Sequence, residues 1–184
     1  MLCGSLVTLR EPITADAPAL LDLLSLPDAT RFDFAEPIDA AAVRRLIDRA
    51  ARDRASGVAF TYAIVQADTG ALVGLTQVRQ LDPSFEGATW DCTLTPAVRG
   101  TGVFGEAARL AGSFAFASTG VRRLEVRVDV DNARATWALR RLGGVQEGIL
   151  RRAIRRGDGY VDQALWAVLK ETWDTVTATT VVIH

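Results

Sequence analysis

The sequence predicts an α+β fold built on a sheet of about seven strands. Three observations carry this reading. Hydrophobic periodicity switches between two and about 3.6 residues in the order strand, two helices, three strands, helix, strand, helix, two strands. No internal repeat or linker-like stretch divides the chain, so residues 1–184 read as a single domain with 175–184 as a C-terminal tail. Of its residues, 49% are apolar, enough for a globular core.

Leu6 to Arg10 alternates and reads as the first strand. Pro12 to Asp16 is a loop, with Thr14 or Asp16 placed to cap a short helix carrying Leu20, Leu21, Leu23 and Leu24. Thr30 to Pro37, with Arg31-Phe-Asp-Phe-Ala-Glu36, reads as a loop rich in aromatic and acidic side chains. Asp39 caps a second helix. Its apolar face is Val43, Leu46, Ile47 and Ala50, and Arg44, Arg45, Arg49 and Arg52 form a solvated face. Ala59 to Val65 and Leu72 to Val78 form a hairpin through Asp68-Thr-Gly70. Gly74 inside the second strand marks a close backbone approach or a bulge. Leu81 to Gly87 is a loop, and Ala88 to Leu94 is the next strand. After a glycine-rich stretch comes a helix with Leu110, Phe114 and Ala117 at helical spacing, and Ala107 and Ala111 beside them. Leu124 to Val130 alternates strictly. Asn132 opens a helix carrying Trp137, Ala138 and Leu142, which Gly143-Gly144 stops. Gly148 to Ile154 and Val161 to Leu169 are strands flanking the turn Gly157-Asp-Gly159. The Thr- and Val-rich tail suits a strand or an ordered arm.

The net charge of −1 gives no support to a nucleic-acid or membrane-surface role. Arg151, Arg152, Arg155 and Arg156 are locally basic and read first as solvated strand ends. Cys3 and Cys92 form no disulfide framework, which fits a reducing, cytoplasmic setting. His184 is the only histidine, so histidine chemistry is not expected, and no zinc spacing occurs. No 18-residue apolar span or signal-peptide pattern is present.

Gly100, Gly102 and Gly105 fall within six residues, directly before a helical pattern. Glycines let backbone approach a ligand closely, and a helix start offers unpaired N–H groups and partial positive charge. Together they suit a phosphate or diphosphate, although a turn that merely opens a helix has the same spacing. Gly100 to Gly105 also spells Gly-x-Gly-x-x-Gly. Against a dinucleotide fold, Pro96 to Arg99 separates the glycines from the strand, and too few strands follow. Glu125 also falls near the start of the next strand rather than its end. The chain contains no Gly-Lys-Ser/Thr, so a P-loop is excluded.

Arg99-Gly-Thr-Gly102 resembles the acyl-CoA loop of the GNAT acetyltransferases, Arg/Gln-x-x-Gly-x-Gly/Ala. Thr95-Pro-Ala-Val-Arg-Gly-Thr-Gly-Val103 is similar to the strand exit and loop of their ribosomal-protein N-acetyltransferase branch. Asn132 to Gly143, continuing to Glu147-Gly148, resembles that branch's Asn-helix-Leu-Gly-x-x-x-Glu-Gly segment. The motifs come in family order and spacing, and the likeness runs from Leu6 to about Trp173. It implies a mixed, mostly antiparallel central sheet flanked by helices, with a splayed parallel strand pair holding acyl-CoA. As activity it implies acetyl-CoA-dependent N-acetyl transfer to a primary amine, a protein N-terminus or a small molecule, without a metal. A homodimer is expected from the same likeness and from the apolar tail residues Val176 and Val181 to Ile183. Phe104 departs from the family's small residue, and it either narrows the pocket or repacks beneath it.

The resemblance assigns acyl-CoA contacts to Leu94, Thr95, Arg99, Gly100, Thr101, Gly102, Val103, Phe104 and Gly105, with Asn132 on the CoA arm. Asn is equally a favoured helix cap. A backbone N–H near Thr93 to Thr95 would polarise the thioester carbonyl. The branch's Ser three residues after the Asn is Ala135 here, and the Tyr that other members place seven residues after it is Leu139. Neither usual acid position carries a hydroxyl, and Thr136 is a weak substitute. A thiol of pKa about 8.5 leaves readily without one. For the base, Asp91 is the only carboxylate of its strand, and Glu86 lies just before that strand; a water relay from either would serve. Asp91 also reads as a plain surface acid, with Trp90 pointing to the opposite face. Phe104, Ala135 and Leu139 keep open a second class, a non-catalytic acyl-CoA-binding or structural domain of the same fold.

Overall fold

A computed structural model of the chain describes residues 1–27, 29, 38–173 and 175. The aromatic and acidic loop at 30–37 and the tail at 176–184 lie outside the described residues.

The described residues form one eight-stranded sheet with helices on both faces. In chain order the elements are β1 (Leu2–Cys3), β2 (Val7–Arg10), α1 (Ala17–Leu24), α2 (Ala40–Ala55), β3 (Ala59–Gln66), β4 (Leu72–Gln80), β5 (Gly87–Leu94), α3 (Val103–Ser118), β6 (Arg123–Asp129), α4 (Ala133–Arg141), β7 (Val145–Arg156) and β8 (Gly159–Leu169). The spatial order is β1-β2-β3-β4-β5-β6-β8-β7. Only β5 and β6 pair in parallel, because α3 carries the chain back between them. The strand beyond the expected seven is β1. It folds onto β2 through a tight turn in which the Gly4 N–H donates to the Val7 carbonyl at 2.8 Å.

Strand alternation divides the core into two layers. On one face Tyr62, Ile64, Trp90, Leu94, Val126 and Trp166 lie under α3 and α4. On the other, Leu75 meets the leucines of α1 and the Val43, Leu46 and Ile47 stripe of α2. Asp39 caps α2 as its position predicts, accepting from the Ala42 N–H at 2.6 Å. Asp16 stands before α1 but does not cap it. Its carboxylate turns back to the Arg10 guanidinium, with both contacts at 2.7 Å, and to the Ile13 N–H at 2.8 Å. Gly112 sits mid-helix in α3 because Trp173 packs there; a Cβ would lie 2.6 Å from the indole. The arginine-rich end of β7 is solvated. Arg156 pairs with Asp129 at 2.9 Å, and the Arg152 guanidinium lies 4.5 Å from the Tyr160 ring centroid. Among the described residues no helix is long and apolar enough to cross a membrane.

Candidate active site

The parallel pairing of β5 and β6 runs from Gly87↔Arg123 to Thr89↔Glu125. Beyond it, β5 follows β4 to Leu94 and β6 follows β8 to Asp129, so the two strands part at their C-terminal ends. Gly74 holds β5 to β4 there. A Cβ on Gly74 would lie 2.6 Å from both Leu94 Cδ2 and the Thr93 carbonyl oxygen. Both sequence readings of Gly74 are present, since the register shift between Ile64 and Val65 lies opposite it.

Alternation then decides which backbone donor faces the gap. The Thr95 N–H donates to the Val73 carbonyl at 2.9 Å and is used within the sheet. Leu94 therefore turns its N–H and carbonyl toward the parting strands. Arg99 folds back onto that carbonyl, with Nε at 3.2 Å and Nη2 at 2.9 Å. This contact closes the loop between β5 and α3.

Gly100 and Gly102 have φ of 85° and 92°, the left-handed region where glycine avoids a Cβ clash. Thr101 tightens the turn by donating Oγ1 to the Val98 carbonyl at 2.7 Å. Gly102 is the cap residue of α3 and supplies no side-chain acceptor. The first intrahelical bond runs from the Glu106 N–H to the Gly102 carbonyl at 3.1 Å. The N–H groups of Val103, Phe104 and Gly105 thus have no intrahelical acceptor, and they converge at the positive end of the helix. Phe104 repacks beneath the loop. Its ring lies 5.8 Å from that of Trp90 and bridges the two core clusters under α3.

Under the gap, the Trp90 indole N–H donates to Thr76 Oγ1 at 2.9 Å, and that hydroxyl donates to the Asp91 carbonyl at 2.8 Å. Burial pushes the neighbouring Cys92 thiol up to about 12, which disfavours its thiolate. Asp91 is half-buried on the opposite face, paired across the strands with Gln77. The Gln77 amide is fixed from both sides. It donates to Thr61 Oγ1 at 2.7 Å and accepts from Arg79 Nε at 3.2 Å, and Arg79 Nη2 reaches Asp53 at 3.0 Å. A polar strip therefore runs across β3, β4 and β5 beside the apolar ground of α1 and α2. The alternation of β3 and β4 held the signal for Thr61 and Gln77, but only the register sets them beside Asp91.

The remaining candidates fall elsewhere. Glu86 is exposed at the other end of β5, roughly 26 Å along the strand from Leu94. Its backbone carbonyl accepts from the Arg122 and Arg123 N–H groups and fixes the start of β6. Asn132 caps α4, accepting from the Ala135 N–H at 3.0 Å. Ala135 and Leu139 both pack into the core, which makes them part of the apolar face of α4. Among the described residues no group of three or more His, Cys, Asp or Glu side chains is placed to hold a metal.

The sequence model of the acetyltransferase (GNAT) domain matches residues 7–145. The uncharacterised N-acetyltransferase p20 of Bacillus licheniformis is 24% identical over 168 residues, covering 91% of this chain and 94% of that protein. The spermidine N-acetyltransferase of Vibrio cholerae, solved with CoA and spermine, superposes with a TM-score of 0.80 at 17% identity, covering 92% of this chain and 99% of that one. The acetyltransferase (GNAT family) of Bacillus anthracis superposes with a TM-score of 0.78 at 15% identity, covering 92% and 98%.

Proposed function

This chain belongs to the GNAT acetyltransferase family, and from that premise we propose that it transfers the acetyl group of acetyl-CoA to a primary amine. The observation that carries the proposal is the backbone at the mouth of the gap. Three N–H groups converge at the start of α3, and the Leu94 N–H faces the parted strands beside them. The N–H groups of residues 103–105 hold the diphosphate of acetyl-CoA. Its arm then runs between β5 and β6 toward the Leu94 N–H, which donates to the oxyanion formed as the amine attacks the thioester carbonyl. The C–N bond forms, the C–S bond breaks, and the proton that the nitrogen sheds on becoming an amide passes through water to the leaving thiolate. Asp91, through water, accepts the proton that the ammonium must lose before attack. It lies roughly 10 Å along β5 from Leu94, too far for direct contact with the thioester and suited to a relay.

The acceptor is a protein N-terminus or a small amine, the protein acts as a homodimer, and its setting is the cytoplasm. Support for an amine acceptor comes from the Vibrio cholerae structure, which pairs the same fold with CoA and spermine. Release of CoA thiol from acetyl-CoA, measured across a panel of polyamines, small amines and N-terminal peptides, tests the activity. Calorimetry with CoA runs beside it, and light scattering at micromolar concentration is expected to give the dimer mass. CoA binding without turnover on any amine would favour a non-catalytic acyl-CoA-binding domain, the reading that the core-facing Ala135 and Leu139 support.

A further inference from the structure

The Glu106 carboxylate gathers four donors from a segment about a hundred residues away. Its Oε1 accepts from the Ser5 N–H at 2.9 Å and the Ser5 hydroxyl at 2.7 Å. Its Oε2 accepts from the Leu6 N–H at 2.6 Å and the Val7 N–H at 2.7 Å. The segment packs closely against this carboxylate. A Cβ on Gly4 would lie 2.5 Å from both Cδ and Oε2 of Glu106. The same turn reaches the glycine loop, since Leu6 Cδ1 lies 3.3 Å from where a Cβ on Gly102 would stand. Glu106 also closes the helix start through its own N–H to Gly102. Turn, carboxylate and glycine loop thus form one connected unit.

Charge sharpens the point. A carboxylate in the first turn of α3 suits the positive helix end but competes there with any other anion. Burial pushes the Glu106 carboxyl up, yet the Ser5 hydroxyl and the three N–H groups outweigh it and hold the group below the usual carboxylate value. Its negative charge is spent on the turn, on the side of α3 that carries β2.

We infer that Glu106 is a positioning residue for the acetyl-CoA site: it fastens the Ser5–Val7 turn against the start of α3, seats Leu6 against Gly102, and keeps its own charge turned away from the diphosphate. The inference rests on the reading that the diphosphate sits at residues 103–105. Charge and packing both enter this role, so the test perturbs each in turn.

The test compares wild type, Glu106→Gln and Gly4→Ala by CoA calorimetry, acetyl-CoA kinetics on an amine the wild type accepts, and melting. Glu106→Gln presents an NH2 to donors that need an acceptor. Gly4→Ala keeps the carboxylate but displaces it, and Gly4 is outside the positive-φ residues, so its backbone accepts Ala. Both variants are expected to raise the CoA Kd and the acetyl-CoA KM about tenfold, the scale of one lost charge-assisted bond. The kcat at saturation should stay within about twofold. A lower kcat with unchanged KM would mark a merely structural role and overturn the inference, as would tighter CoA binding by Glu106→Gln. Should Glu106→Gln fail to fold, Gly4→Ala decides the matter. Unchanged affinity in a folded variant overturns this inference alone, whereas a wild type that does not bind CoA removes the site reading beneath it.

Discussion

Replacing Gly102 with Val tests the glycine loop most directly. At φ 92° and ψ −16°, a residue with a Cβ meets the left-handed penalty of about 1–2 kcal/mol, with a β-branched side chain at the upper end. Among the described residues the one close neighbour of that Cβ is Leu6 Cδ1 at 3.3 Å, on a side chain 44% exposed and able to yield. The cost is therefore mostly backbone, about 2 kcal/mol, or a fall in Tm of about 4–8 °C for a chain of this size. That leaves the protein folded against a total stability of about 5–15 kcal/mol. If the loop escapes the strain by taking a negative φ, the N–H groups of Val103 and Phe104 swing away from the ligand. Losing two bonds to an anion, each about 1.5 kcal/mol or more, weakens CoA about a hundredfold. Gly100→Ala is the control. Its φ of 85° carries a similar backbone cost, but among the described residues no atom lies within 4 Å of the new Cβ and the residue stands outside the helix start. It should melt similarly lower while losing under about tenfold in affinity. Melting curves and CoA calorimetry measure both. A folded Gly102→Val protein with wild-type affinity would refute the diphosphate site, and an unchanged Tm would refute the backbone argument.

Asp91→Asn should lower turnover at neutral pH by about 10²-fold or more and leave CoA affinity intact. With no essential acid, the wild-type rate should rise through one ionisation and show no falling limb below about pH 9; a bell-shaped profile would reveal an acid elsewhere. Gly74→Ala forces a Cβ against the Thr93 carbonyl oxygen, which cannot yield, so it should cost about 1–3 kcal/mol in urea unfolding and weaken CoA as β5 shifts. Asp16→Asn loses the ion pair with Arg10 and should destabilise by about 2 kcal/mol, allowing for water on an arginine 29% exposed. Burial raises the Asp16 carboxyl, but Arg10 and the Ile13 N–H hold it below its ordinary value. A lowered carboxyl contributes fully above the ordinary Asp pKa of about 3.9 and is lost as pH falls through the folded value. The difference between wild type and Asp16→Asn should therefore vanish in acid, and a gap that persists there would contradict the ion-pair origin.

Chain-neighbour physics made much of this protein legible in one dimension. The alternation of Leu124 to Val130 and the stripe of Val43, Leu46, Ile47 and Ala50 each record which face of one element meets the core, so element order followed from periodicity alone. The Asp39 cap, the Gly70 turn and the Gly143 stop were visible because each acts within a few residues of itself. The glycine loop was visible for the same reason, and with it the start of α3. Distant pairings belonged to the tertiary structure. Strand register put Gln77 beside Asp91 and gave Leu94 rather than Thr95 the N–H that faces the gap. Asp16 looked like a cap until Arg10 arrived from β2, and only tertiary packing sets Trp173 against Gly112. Glu106 stands in the first turn of α3, yet its four donors come from residues near the start of the chain. Periodicity specifies a face, whereas a partner depends on register and crossing, which only the summed packing of the whole sheet decides.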